Sequence, residues 1–382
     1  MTRNHLTRDD WASNDWPLHG GEAAPLLARF GLPADTPLRD VSANLNPLGP
    51  PEWLPEWMAE RASDLGRYPD PDYAAARAAI AAHEGVTPEQ VRLTNGGAEA
   101  IYLAAALHAG RPAAILEPGF AEYRRACQAH GLPVQGLPLA APDFILDFSL
   151  DPEALIAGLG EAEVLFMGRP NNPTATLVPR PVMERLLELT AARGCTLVVD
   201  EAFIDFVDDA ERLTPWLERF EHLILLRSLT KWFTLPGLRL GYLLAAPARV
   251  AAAAVHQPAW SVNQLAADLV APLLADRDFD ARTRAWLAAE RPAMQAALSD
   301  LGLRVVPSRA NFFLVRHPAG GEATARLLPA LLRRGWLARH TRGFAGLDGG
   351  WLRLALRSAE ENRALCRALA AAMAEVDRGE TP

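Results

Sequence analysis

Cysteine is scarce: Cys127, Cys195 and Cys366 are the only three in 382 residues, and none stands in C-x-x-C or zinc-ligand spacing. That predicts a reducing, cytoplasmic setting and no structural metal. Positive charge is not in excess either, since 38 Lys and Arg against 46 Asp and Glu leave a formal charge of -8. A nucleic-acid partner or an anionic membrane surface is thereby excluded as an expectation, because phosphate backbones are bound through net positive fields. No apolar window reaches membrane-spanning length without a charge or a proline. The first sixteen residues carry Asp9, Asp10 and Asp15 and lack an apolar core, so no signal peptide is expected. Internal repeats are absent.

What remains is half hydrophobic, enough for roughly two to three domains with ample core. Helical and strand patterns alternate from about residue 95 to 245. Helices are expected over 97–108, 121–130 and 179–193, and strands over 112–116, 164–167, 196–199, 223–226 and 240–244. The strands are short and apolar on both faces, the mark of a buried, mostly parallel α/β sheet with ligands at its carboxyl ends. Long Ala- and Leu-rich helical patterns follow, then strands near 304–306, 311–315 and 351–355 and a closing helix over 359–376. Three parts are expected: an N-terminal arm over 1–72 packing on both domains, a large domain over 73–247, and linking helices with a smaller α/β domain over 248–382.

Chemistry-bearing residues fall just past the expected strand ends. Asn171-Asn172-Pro173-Thr174 follows one strand, Asp200 closes the run Thr196-Leu-Val-Val-Asp200, and Ser228-Leu-Thr230-Lys231 leads to Pro236-Gly237-Leu-Arg239-Leu-Gly241. Taken singly, each has an ordinary reading: a snorkelling lysine, a capping aspartate, an asparagine turn. Together they offer an amine, a strand-end carboxylate, an amide donor, two hydroxyls and a guanidinium. Pyridoxal phosphate needs that set for its aldehyde, ring nitrogen, ring oxygen and phosphate. Asn95-Gly96-Gly97-Ala98-Glu99, ahead of a helix, adds small residues where backbone amides can approach an anion.

In these motifs, over essentially its whole length, the chain resembles the fold-type I pyridoxal-phosphate enzymes of the class I/II aminotransferase group. Within that group it is most similar to the histidinol-phosphate aminotransferase and L-threonine-O-3-phosphate decarboxylase branches. The resemblance implies a large domain with a mostly parallel central sheet and a smaller C-terminal α/β domain. It also implies that Lys231 bonds to the cofactor's aldehyde, Asp200 pairs with its ring nitrogen, and Asn172 bonds its ring oxygen. By the same resemblance Gly97, Ala98, Ser228, Thr230 and Arg239 hold the phosphate and Tyr123 stacks on the ring. Tyr68, in Arg67-Tyr68-Pro69-Asp70, would reach the phosphate of a partner subunit, giving a homodimer with shared sites. The run Asp200-Glu201-Ala202-Phe203 departs from the group's pattern, which commonly has tyrosine at the last position.

The decarboxylase branch is favoured by His19-Gly20-Gly21, by Ser42-Ala43-Asn44-Leu45-Asn46-Pro47-Leu48-Gly49, and by Pro258-Ala259-Trp260-Ser261-Val262-Asn263. Glu22 stands where that branch usually has asparagine. The implied reaction is decarboxylation of L-threonine O-3-phosphate to (R)-1-amino-2-propanol O-2-phosphate, a step of cobalamin biosynthesis; the alternative is transamination of histidinol phosphate or a related amino acid. His19, Gly20, Asn46, Asn172, Arg339 and Arg353 are the substrate residues implied, with the two arginines as clamps for a carboxylate and a phosphate.

Overall fold

The computed structural model describes residues 16–139 and 150–379; the expectation for residues 1–15 of the arm lies outside them. The chain enters through α1 (Ala23–Arg29), a two-residue strand β1 (Arg39–Asp40), α2 (Leu54–Glu60) and α3 (Ala74–Glu84). An alternating stretch then runs β2 (Val91–Asn95), α4 (Gly96–Ala106), β3 (Ala113–Glu117), α5 (Ala121–Ala129), β4 (Val134–Pro138), α6 (Pro152–Gly158), β5 (Val164–Gly168), α7 (Arg180–Ala192) and β6 (Thr196–Asp200). It closes with β7 (Leu223–Ser228), the short α8 (Leu229–Phe233) and β8 (Leu240–Ala245). These strands form one sheet in the order β2-β8-β7-β6-β5-β3-β4.

Pairing is parallel from β7 across to β4, whereas β8 runs antiparallel to both β7 and β2. The expected strand at 240–244 therefore exists but points the other way. A parallel return needs a crossover of a dozen or more residues, and the link between β7 and β8 holds only the single turn of α8. Every residue of β5, β7 and β8 is buried, as expected of strands covered on both faces. The edge strands β2 and β4 were missed by the periodicity, because β4 (Val-Gln-Gly-Leu-Pro) is half exposed and too polar to stand out.

The remaining elements are α9 (Pro247–Val255), α10 (Gln264–Ala275), the long α11 (Arg277–Asp300), β9 (Arg304–Val305), β10 (Phe312–Arg316), α12 (Gly321–Arg333), β11 (Trp336–Leu337), β12 (Arg339–His340), β13 (Leu352–Ala355) and α13 (Ala359–Asp377). A four-stranded sheet, β12-β13-β10-β9, packs beneath α12 and α13. β1 pairs in parallel with β11 in a separate two-stranded sheet, which ties the arm to the C-terminal part of the chain rather than to the large sheet.

Candidate active site

Strands β5, β6 and β7 end on one edge of the large sheet, and that edge delivers Asn172, Asp200 and Lys231 to a single cavity of about 470 Å³. Ala98, from the first turn of α4, and Arg239 line the same wall. Lys231 faces the cavity because the rest of its short helix is anchored in core: Trp232 lies 5.0 Å from Phe206, and Phe233 stacks on Phe279 at 5.4 Å. Burial, then the charges of Arg353 and Arg239, bring the Lys231 amine down to about 8, with Asp200 opposing them. A larger neutral fraction near neutrality makes it a better nucleophile than an exposed lysine. Lys231 is also the only lysine in the chain, a signal that the residue motifs alone did not use.

Asp200 accepts a 2.7 Å hydrogen bond from the Tyr123 hydroxyl and a 2.9 Å bond from the Ala202 amide. Burial raises its pKa against those bonds and the nearby lysine charge. A cationic ring nitrogen beside it would supply the missing counter-charge. Tyr123 is fully packed, stacked on Phe166 at 6.1 Å with its hydroxyl committed to Asp200. Tyr123 lines the cavity as well as bonding Asp200, and half-buried Phe120, which the sequence reading passed over, lies beside it on the same wall.

Gly96 has a backbone φ of 79°, and a side chain there would meet the Arg239 guanidinium at 2.7 Å. The bare backbone thus leaves room for a guanidinium above the amino end of α4, a cradle for an anion. Gly97 and Ser228 pack against each other just behind this wall, at 3.6 Å from an added Cβ. Thr230 is buried, and its hydroxyl donates to the Leu240 carbonyl at 3.4 Å. Amine, carboxylate, amide and anion cradle on one wall fit pyridoxal phosphate in kind and number.

The opposite wall is the arm. Leu18, His19 and Gly20 line the cavity together with Arg339 and Arg353. Gly20 touches the rest of the fold as backbone, because a Cβ would fall 2.3 Å from the Ser42 carbonyl oxygen. It therefore lines the cavity as bare backbone held close to Ser42. Asn46 needs a correction: it is buried and off the cavity wall, and its side-chain amide donates to the Trp232 carbonyl and to the Thr283 hydroxyl, both at 2.9 Å. Its own amide donates to the Lys231 carbonyl at 3.2 Å. Asn46 is thus the clasp that pins the lysine helix to α11, not a substrate ligand.

Arg339 and Arg353 are register partners on β12 and β13, directly opposite one another. Arg353 donates to the Asn172 side-chain oxygen and, at 2.7 Å, to the Ser42 carbonyl, while its Nε is buried without a partner among the described residues. Burial and the charge of Arg339 lower it to about 9. Arg339 donates to the carbonyls of Pro17 at 2.7 Å and Leu18 at 2.6 Å, and burial lowers it to about 10 against the charge of exposed Glu22. Phe203 packs edge-on to Phe312 at 4.9 Å, the ring over which the Arg353 guanidinium lies at 5.5 Å. Where a tyrosine hydroxyl was absent from the sequence, the structure has an apolar floor. Tyr68 is 79% exposed, away from this cavity, and rests on Trp260 at 4.8 Å.

The profile of the aminotransferase class I and II family matches residues 38–369. The chain belongs to this family. Among its members, the threonine-phosphate decarboxylase of Salmonella typhimurium is 36% identical over 92% of this chain and 95% of its own length. Histidinol-phosphate aminotransferase 1 of Cupriavidus pinatubonensis is 32% identical over 94% of both chains. The crystal structure of the histidinol-phosphate aminotransferase from Clostridium acetobutylicum superposes with a TM-score of 0.81 at 28% identity, covering 88% of this chain and 99% of that one. Family membership accounts for the fold and for the sheet-edge wall. Both kinds of relative carry phosphate in the name of what they act on.

Proposed function

We propose that the protein is a pyridoxal-phosphate-dependent carboxy-lyase that decarboxylates L-threonine O-3-phosphate. The observation that carries this reading is the pair Arg339 and Arg353, two buried guanidiniums directly opposite across β12 and β13. Like charges so placed repel, so they cost stability unless an anion sits between or beside them. Two cations with separate anchorage suit a substrate with two anions, a carboxylate and a phosphate.

Pyridoxal phosphate, held by Lys231, Asp200, Asn172, Ala98 and Arg239, supplies an electron sink for the pair left when a bond to the substrate's α-carbon breaks. With the cofactor bound, Lys231 would be the amine held against its aldehyde and the base or acid nearest the substrate's α-carbon. Arg353 sits beside Lys231 closely enough to lower its pKa, so a carboxylate clamped there is held next to the reacting carbon. Its anchorage to Asn172 and Ser42 sets the direction in which the carboxylate points. By fixing the substrate's carboxylate, Arg353 would favour loss of carbon dioxide over removal of the α-proton, which Lys231 is the group placed to hold or move. His19 and Arg339 receive the phosphate at the arm wall.

The protein acts as a cytoplasmic homodimer in this reading, with the exposed Tyr68–Trp260 pair as part of the surface that covers the partner's site. The decisive experiment measures carbon dioxide release from L-threonine O-3-phosphate with and without an added 2-keto acid. Release without the keto acid is the expected result; a stoichiometric requirement for it would make the enzyme an aminotransferase.

A further inference from the structure

Buried Glu122, near the start of α5, is the polar group on the cavity wall to which neither motif nor resemblance gave a part. Its side chain is 9% exposed, and one of its oxygens, Oε1, lies 3.1 Å from His19 Nε2 and 2.8 Å from an Arg125 guanidinium nitrogen. Its second oxygen is 3.5 Å from the Tyr102 hydroxyl. His19, Glu122 and Arg125 all line the cavity that holds Lys231. We propose that Glu122 is a positioning residue that holds His19 and Arg125 as a pair of donors for the substrate's phosphate. This rests on the reading of the arm wall as the phosphate end.

The argument is one of atoms and charge. An ionised carboxylate only accepts hydrogen bonds, so the imidazole nitrogen facing it, Nε2, carries its proton toward Glu122. Nδ1 is thereby the atom left for a ligand, and it donates to an anion only when the ring carries both protons. A buried carboxylate on the far side is the counter-charge that such a doubly protonated ring needs. The same oxygen draws Arg125, three residues on along the helix, to the same place. His19 enters from a strap with few other anchors, and Glu122 fixes its ring to a helix of the main fold. Arg125 and Arg339 add two fixed positive charges beside His19, against Glu122 and exposed Glu22.

The test uses the cofactor-loaded enzyme with L-threonine O-3-phosphate and L-threonine as paired substrates. Glu122→Gln keeps the shape and removes the charge, and it is expected to lower the kcat/KM ratio of phosphorylated over plain substrate by about tenfold, chiefly through KM. Glu122→Asp should recover part of that loss. In a His19→Ala background the same Glu122→Gln change should cost only about threefold, the share carried through Arg125, because one of the two residues it positions is gone. Equal losses on both substrates, or an undiminished effect in the His19→Ala background, would overturn the proposal. If Glu122→Gln does not fold, half-exposed Arg125→Gln carries the test: a fall of about threefold in the ratio supports the pairing, and an unchanged ratio refutes it. A wild-type enzyme that itself shows no preference for the phosphorylated substrate would overturn the parent reading, and this one with it.

Discussion

The two walls of the cavity are built in opposite ways. On the sheet wall, Asp200 ends β6 and Lys231 follows β7, strands paired on both sides and buried in core. Tyr123, Phe206, Trp232 and Phe279 then lock the side chains that carry them. On the arm wall, Arg339 grips two backbone carbonyls of Pro17 and Leu18, Gly20 lies against Ser42 as bare backbone, and His19 reaches Glu122 through one polar contact. Chemistry common to a family needs one rigid geometry, so it belongs on the sheet. In the proposed reading, selection among substrates is spread over a strap held by a handful of hydrogen bonds, each worth about 0.5–3 kcal/mol, which can change without disturbing the core. Arg353 stands where the two regimes meet, bonded to Asn172 on one side and to Ser42 on the other.

The largest expected effect lies on the sheet wall. Lys231→Ala should abolish turnover by on the order of a thousandfold or more and leave no cofactor that borohydride can fix to the peptide. No other lysine exists to substitute for it, so a borohydride-trapped adduct on the mutant's peptide would contradict the assignment. Next, Arg353→Ala should cost both phosphorylated and plain threonine about 2–4 kcal/mol of kcat/KM, roughly thirty- to a thousandfold, because it removes a shared carboxylate clamp. It should also raise the share of turnovers ending in the pyridoxamine form, read as an absorbance shift. A loss confined to the phosphorylated substrate would move Arg353 to the arm wall's function and blur the comparison.

His19→Ala sharpens it from the other side. The preference for phosphorylated over plain threonine should fall by about ten- to a hundredfold, measured as a ratio of kcat/KM values. Asn46→Ala tests whether the clasp is structural: it should lower unfolding stability by about 1–3 kcal/mol in a thermal melt and leave that preference ratio unmoved. A changed ratio would restore Asn46 as a substrate ligand.

The smallest effect is a pH signature. The folded protein holds Lys231 at about 8 against an ordinary 10.5, so the unfolded chain binds more protons between those values and stability rises with pH across that window. Below about 8 the cost of the buried ammonium is constant. In cofactor-free protein, Lys231→Met should therefore stabilise by about 1–3 kcal/mol at pH 7, and the gain should fade toward pH 10.5. A gain independent of pH would show that the amine is not desolvated.

How much of this was legible in sequence differs between the same two walls. Asp200, Asn172 and Lys231 were readable because each follows an apolar strand run directly, and a parallel strand's end has only one place to be. Asn46 was placed at the cavity but lies behind it, bonded to Trp232 and Thr283, since motif position says which residue is near but not which group it bonds. Glu122 and Arg125 were not seen at all. Their only sequence signal is an i, i+3 acid–base pair, common on any exposed helix.

The sequence by itself determined the alternation of strand and helix and the position of Asn172, Asp200 and Lys231 just past strand ends, because these depend on local periodicity. The tertiary structure alone decided that β8 turns back antiparallel, that Arg339 and Arg353 face each other, and that Glu122 meets His19 across 103 residues of chain. Those are contacts between segments distant in sequence. They are fixed by how whole sheets and helices pack, which no window of residues contains.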